Sequence, residues 1–536
     1  MGILVIFILI MMFFLPSALK KMVHWKLIVP FFFISCLAIS NIGVFDQYSF
    51  VDPDLYFHKS LVDKLLDKQL FINDEAIKFY SEIYPKGYQY LLCFLSNFNL
   101  SIPQISKLLG IILSSIIPFL FYFLGKEIYQ DRKLAFFSGL FCVVVPIWEF
   151  IYAGLPRSIA FVLFICLLIY LFKYLNSQGK ISFIILLNII MALILFVHPY
   201  TFIIAWFISI IFFSLVVFGK RGKNRKVHIS ALLIFGLYLV LFFIFKQKGT
   251  LTLSTWDFFH SHNDIYWERV PYAFVNFFNL VKEIGVLPIL MFILMLIKYY
   301  IRPEKMVKYP GLTILICCTF FLMALLVIVV NVNGLFFLRA HRFPPFISSL
   351  LYLSSLLVLK DLWAKFSSNK ISAPLFCLIL LSPGMEHLAK ELQYRKFPYD
   401  LKVGVGTHKE TQNTQVTFNE ILKLADYVDK NIPKNEIIAC TFDKGDILRM
   451  LSRRAVTASW RIGGMITVYK EPLYIFKEQK TNSKMLYDNP AYLYDKYGAR
   501  FFLFEKDRRT DMAVLGPEFH LIWESENLYF YEIRSL

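Results

Sequence analysis

About a dozen apolar runs of near-uniform length decide what this chain can fold into. They lie at about 2–19, 27–45, 104–125, 134–152, 158–173, 181–197, 201–218, 229–246, 284–301, 311–331, 344–360 and 371–387. A bilayer core about 30 Å thick needs about 20 apolar residues per helix. Inside hydrocarbon, a spanning segment must also satisfy its own backbone polar groups. The runs therefore predict a polytopic α-helical membrane protein with about 12 transmembrane helices. Composition agrees: the 536 residues are 57% hydrophobic and 18% aromatic, with a mean hydropathy of +0.58, far above a soluble domain of this size. Residues 2–19 lack a basic leader and run into Lys20, Lys21 and Lys26 rather than a small-residue cleavage site, so a retained span is expected.

The connections alternate sharply in charge. Residues 20–26, 126–133, 173–180, 220–226, 298–308 and 360–370 hold about twenty Lys and Arg, and the intervening short loops hold far fewer. The positive-inside rule places the basic set in the cytoplasm. A single orientation satisfies all six, which puts the loops 46–103 and 246–283 outside, together with everything after about residue 388. From Leu388 onward basic and acidic residues nearly balance, about 23 against 20, so about +15 of the formal +18 belongs to the membrane part. That distribution is a topological signal, and it does not support nucleic-acid binding.

Two domains follow: residues 1–387 with the spans and outer loops, and residues 388–536 as a small extracytoplasmic α/β domain. In the latter, 418–431 has helical periodicity, 436–442 reads as a strand, 445–451 as a short helix, and 499–505 and 528–533 as strands. In the first outer loop, Ser60 to Leu70 reads as an amphipathic helix with Leu61, Leu65 and Leu66 on one side. The eight cysteines are scattered, mostly within apolar runs and without a CxxC pair, which suits packing better than a disulfide framework or zinc site. Arg453-Arg454 and the run 506–509 read as solvated faces.

Chemistry concentrates in the first outer loop. Asp52-Pro53-Asp54 places two carboxylates at i and i+2, on one face of an extended segment, with His58 four residues beyond Asp54. Carboxylate oxygens there suit magnesium or manganese. Alternatively, one aspartate takes a proton from an attacking hydroxyl. The competing reading is a solvated Asp-Pro turn. Further along, Tyr84-Pro85-Lys86-Gly87 reads as a turn opening the next helix.

Taken with the stack of spans and the outer tail, this segment resembles the GT-C superfamily of membrane glycosyltransferases. Residues 52–58 are similar to the first-loop motif of oligosaccharyltransferase catalytic subunits, and 84–87 to the Tyr-Pro segment of protein mannosyltransferase and aminoarabinose transferase relatives. The resemblance implies transfer of a sugar, with inversion, from a polyprenyl-phosphate-linked donor to a glycan, lipid or protein acceptor at the outer face. Asp54 and Asp52 would supply the base or the metal ligands, Asp54 being nearer the aromatic and histidine segment. Two features depart from oligosaccharyltransferases. The next outer loop has Glu149 but Arg157 where a second acid is expected, and Ser459-Trp460-Arg461 does not match their Trp-Trp-Asp motif. A monosaccharide transferase is therefore expected.

A lipid phosphate needs cations at the outer surface. Arg339, His341 and Arg342 lie between two spans, against the topological bias, and arginine's planar fork suits phosphate. Arg342 leads, followed by Arg339, with His58, Arg157 and His198 as further candidates for this role. Headgroup anchoring or a salt bridge to the first loop competes with phosphate binding. A transporter or lipid flippase would place its ionisable groups near mid-membrane and repeat its halves. Here the notable charges sit at the outer ends of the spans. A non-catalytic membrane protein with an outer sensing domain is the other alternative.

Overall fold

A computed structural model describes residues 54–74, 77–78, 81, 86–140, 142, 145, 147, 154–177, 180–218, 228–230, 233–234, 236–237, 284–301, 309–331, 343–366, 416–441, 444–458, 471–506 and 515–534. The chain divides into two compact units. One contains residues 106–248 and 254–393 with the N-terminal 44, and the other contains 45–105, 249–253 and 394–536. The first long loop thus groups with the C-terminal part, whereas the expected domain boundary at residue 387 counts it with the spans.

The first unit is built of apolar helices: α3 (Ile102–Tyr129), α4 (Arg132–Leu140), α5 (Pro156–Asn176), α6 (Ile181–Val197), α7 (Pro199–Phe218), α8 (Val286–Ile301), α9 (Pro310–Asn331), α10 (Pro344–Ser354) and α11 (Leu356–Phe366). Two shorter helices precede them in the chain and are described with the second unit: α1 (Asp54–Leu66) and α2 (Gly87–Ser96). Among the described residues, five stretches are long and apolar enough to cross a bilayer: 102–129, 156–176, 200–218, 310–327 and 344–365. The chain is a polytopic membrane protein. The runs expected at 2–19, 27–45 and 371–387, and most of 229–246, lie outside the described residues.

Two expected spans differ in form. In the run at 134–152 the described helix is Arg132–Leu140, and most of the residues after it lie outside the described ones. The run at 344–360 breaks at Ser355. There the Ser354 and Ser355 hydroxyls donate to the carbonyls of Leu350 and Leu351, back-bonding that bends helices.

Aromatic side chains fill the core of this unit. Phe346 on α10 meets Phe161 and Phe164 on α5 at 5.4 and 4.9 Å between ring centroids. Tyr129 on α3 donates to the Leu353 carbonyl at 2.5 Å, and Tyr352 to that of Phe137 on α4 at 2.9 Å. Gly154, at φ +59°, sits where an added Cβ would lie 1.9 Å from the Ser106 carbonyl, so the backbone crosses α3 at a point that only glycine allows.

Basic connections meet at one end of this unit. Gln130 donates to the Asn176 side chain at 2.9 Å, and Asn176 to the Glu127 carbonyl at 2.8 Å. Tyr174 lies 2.5 Å from His228, just past the 220–226 run. Tyr129 stacks edge-on against Tyr309. Lys360 pairs with Asp131 at 3.4 Å, and Lys298 with Asp361. Described residues in or beside five of the six basic stretches therefore share one end.

The second unit carries a five-stranded sheet of order β2-β1-β3-β5-β4, made of β1 (Ile437–Ala439), β2 (Ala455–Val456), β3 (Phe501–Glu505), β4 (Phe519–Glu524) and β5 (Leu528–Ile533). β2, β1 and β3 are parallel, and β3-β5-β4 antiparallel. The run Phe501-Phe502-Leu503-Phe504 is buried on both faces, as expected of a covered strand. Phe501 and Leu503 face α12 (Phe418–Asn431) and α13 (Gly445–Ser452), while Phe502 and Phe504 face α14 (Glu471–Asp488) and α15 (Pro490–Tyr497). Arg454, expected in solvent, is buried. It donates to the carbonyls of Ser452, Val428 and Ile432, closing the C-terminal end of α12.

Candidate active site

The helix expected at Ser60–Leu70 is instead Asp54–Leu66. It starts six residues earlier, and Leu66 is 63% exposed because α1 buries Leu55, Leu61 and Val62 against its neighbours instead. Asp54 is the first described residue of this helix. The extended geometry expected for 52–54 therefore gives way to helix at Asp54. His58 follows one turn later, on the same helical face as position 54. The side chain of Asp54 and all of Asp52 lie outside the described residues.

Around the rest of α1 the unit is dense with buried polar groups. His58 is 4% exposed. Its Nδ1 lies 3.3 Å from the Gln89 amide of α2, and its ring meets Tyr88 edge-on at 5.0 Å. Lys59 bonds Asp63 at 2.5 Å and the Met450 carbonyl of α13 at 3.0 Å. Burial lowers the Lys59 pKa, and the Asp63 carboxylate opposes that shift. Arg453, just past α13, stands 3.8 Å from Asp63.

Asp74 and Arg449 form the deepest link. Arg449 Nε lies 2.8 Å from Asp74 Oδ2, both side chains being at most 1% exposed. Asp74 Oδ1 also accepts from the Ile77 amide at 3.0 Å, and Oδ2 from the Val456 amide at 3.5 Å. One carboxylate thus joins the first loop to α13 and to β2. The helix that begins with Asp54 is held by the C-terminal domain, through residues that sequence inspection left unassigned. Arg449 gives no local signal of this, because its partner lies hundreds of residues away.

The remaining candidates belong to the first unit. Arg157, half-buried, lies in the first turn of α5. His198 ends α6, buried, with Nδ1 2.9 Å from the Thr201 hydroxyl and accepting the Thr201 amide at 3.3 Å. Since α5 ends, and α6 and α9 begin, at the basic end, Arg157, His198, the end of α9 and the start of α10 share the opposite end; residues 332–342 are the junction between those two helices in sequence. Arg339, His341 and Arg342 fall within that junction and outside the described residues. Among the described residues no group of three His, Cys, Asp or Glu side chains is placed to hold a metal. The Asp52–Asp54 pair expected to bind one is not within that set.

No protein-family model and no curated protein sequence matches the chain. Solved structures do. The Archaeoglobus fulgidus oligosaccharyltransferase in complex with zinc and sulfate matches with a TM-score of 0.58 at 10% identity, over 94% of this chain and 73% of that one. The archaeal oligosaccharyltransferase AglB from the same organism, with an inhibitory peptide and a dolichol-phosphate, matches at 0.53 and 10% identity, over 91% and 70%. ArnT from Cupriavidus metallidurans bound to undecaprenyl phosphate matches at 0.52 and 12% identity, over 96% of this chain and 99% of that one. Both kinds of neighbour are GT-C glycosyltransferases. The chain has the fold of the GT-C membrane glycosyltransferases.

Proposed function

We propose that this protein transfers a single sugar from a polyprenyl-phosphate-linked donor to an acceptor hydroxyl at the outer membrane face. The observation that carries the reading is the fold, matched over more than nine-tenths of the chain to structures that hold dolichol-phosphate and undecaprenyl phosphate. Near-complete coverage of ArnT, against about seven-tenths of the oligosaccharyltransferase, supports a transferase of the smaller build. The departures at Glu149, Arg157 and residues 459–461 point the same way.

Asp54 takes the acceptor proton as the acceptor oxygen forms its bond to the anomeric carbon. The bond from that carbon to the phosphate oxygen breaks on the opposite side, inverting the centre, and the lipid phosphate leaves with the electron pair. Arg342 and Arg339 receive that phosphate, assisted by Arg157 and His198. His58 holds α1 against α2 one turn from Asp54. A magnesium or manganese ion, if bound, would take Asp52 and Asp54 as ligands and add Lewis acidity near the leaving phosphate.

Sidedness has two supports. Residues 45–105 and 394–536 form one compact unit, which must lie wholly on one side of a bilayer, and ten expected spans separate the two segments. An even number of crossings returns the chain to its starting side. The positive-inside rule, applied to the basic connections, supports the outer side for this unit.

In vesicles supplied with a panel of radiolabelled undecaprenyl- and dolichyl-phosphate monosaccharides, Asp54→Asn should abolish transfer while membrane insertion is retained. Near-full activity in that variant would overturn the assignment of the base.

A further inference from the structure

The first turn of α2 sets a buried amide against a buried imidazole. Gln89 is 3% exposed, and its Nε2 lies 3.3 Å from Nδ1 of the equally buried His58. Tyr88, fully buried, meets the same imidazole ring edge-on at 5.0 Å. The other end of the amide is unmatched. Gln89 Oε1 is buried with no hydrogen-bond partner among the described residues.

That arrangement selects one state of the ring. With Nε2 of the amide donating, His58 Nδ1 accepts and so carries no proton. Turned over, the amide would accept from an Nδ1–H and set its NH2 where Oε1 now lies. It would then bury two donors in place of one acceptor, and buried orphaned N–H groups are rarer than under-satisfied carbonyls. Position on α1 gives the remaining ring proton a use. His58 lies one turn after Asp54, and helical side chains lean over the preceding turn, so positions 58 and 54 are neighbours on the helix surface. An Nε2–H there is a hydrogen-bond donor that brings no positive charge. The distinction matters to a base, because a cation beside a carboxylate favours its ionised form and weakens it as a proton acceptor.

We propose that Gln89 is a positioning residue: its amide holds His58 in the neutral form protonated on Nε2, and so offers the turn that carries Asp54 a hydrogen-bond donor without a cation. In this form His58 is not a cation for the lipid phosphate. The state of His58 stands on the Gln89 contact alone, whereas its use to Asp54 rests on the sugar-transfer reading.

The test uses the full chain with isotope-labelled histidine, reconstituted in vesicles. Solid-state NMR tells the two neutral ring forms and the charged ring apart by their nitrogen shifts, and the His58 signals are those lost in His58→Asn. At neutral pH the unaltered protein should show His58 in one neutral form, with its proton on Nε2. Gln89→Leu should give a mixture of the two neutral forms, and Gln89→Glu, which sets a carboxylate against Nδ1, a ring protonated there. A ring protonated on Nδ1 in the unaltered protein, or one left unchanged by Gln89→Leu, would overturn the proposal whatever the transfer activity. In the transfer assay Gln89→Leu should lower kcat roughly 2- to 12-fold, as for one lost hydrogen bond, with the acceptor KM unchanged. An unchanged kcat beside an altered ring would overturn the link to Asp54 alone, and Asp54→Asn tests the base separately.

Discussion

Arg449→Met tests whether the C-terminal domain holds the Asp54 helix. The substitution keeps the bulk and removes the charge, leaving Asp74 buried without its cation. Breaking a buried pair from one side costs about 3–5 kcal/mol, because the orphaned charge keeps its desolvation penalty. At about 1.4 kcal/mol per factor of ten, opening of the joint becomes roughly 140- to 3,700-fold more frequent. Asp74→Asn in the same background removes that orphaned charge and can keep the acceptor for the Ile77 amide. The double variant should therefore lose clearly less than the sum of the single ones, a coupling of about 1–3 kcal/mol. Amide hydrogen exchange on the full chain in detergent reads the effect directly. Residues 54–66 and 445–456 should lose protection together in Arg449→Met, while α5 and α6 keep theirs. Unchanged protection of 54–66 would show that the first loop stands without the C-terminal domain.

Two further predictions follow. Glu420 is partly desolvated, which alone would raise its pKa, but hydrogen bonds from Ser525, Thr417 and Asn527 outweigh burial and hold the pKa below the usual value. A depressed carboxylate contributes stability that is fully present above its unfolded pKa of about 4.3 and lost as pH falls through the folded value. Glu420→Gln should cost about 1.5–3 kcal/mol near neutral pH and abolish that acid-dependent part of the loss, read as exchange protection of 418–431 against pH. For topology, a cysteine at exposed Lys68 or Lys434 should react with an impermeant thiol reagent added outside intact cells, and one at Arg132 should not. Opposite labelling at 68 and 434 would refute their membership of one unit.

The membrane fold was legible because burial in lipid imposes length. The run at 181–197 coincides with α6, and that at 311–331 with α9 to within a residue. In the C-terminal region, the helix at 418–431 and the strand at 528–533 carry clean local periods and coincide with α12 and β5. Two-residue β2 and the partly exposed β4 carry too little period to be seen. The candidate site was legible only as a stretch of sequence. Asp54 reads as a carboxylate worth explaining, but the helix that carries it packs on α13 through contacts between residues far apart in the chain. Arg454 shows the same limit. Two adjacent arginines look like a solvated surface until the end of α12 is placed over one of them.

The joint between the first loop and α13 also sets an order of assembly. Lys59 and the Met450 carbonyl are 391 residues apart. At about 5–20 residues per second, translation separates their appearance by roughly 20–80 s. A lone helix of 13 residues is marginal in water, so during that interval α1 lacks the surface that buries it while the intervening spans enter the bilayer. Its final packing is therefore among the last steps of biogenesis, and a chain truncated before Arg449 would carry every span yet leave its Asp54 helix unsupported.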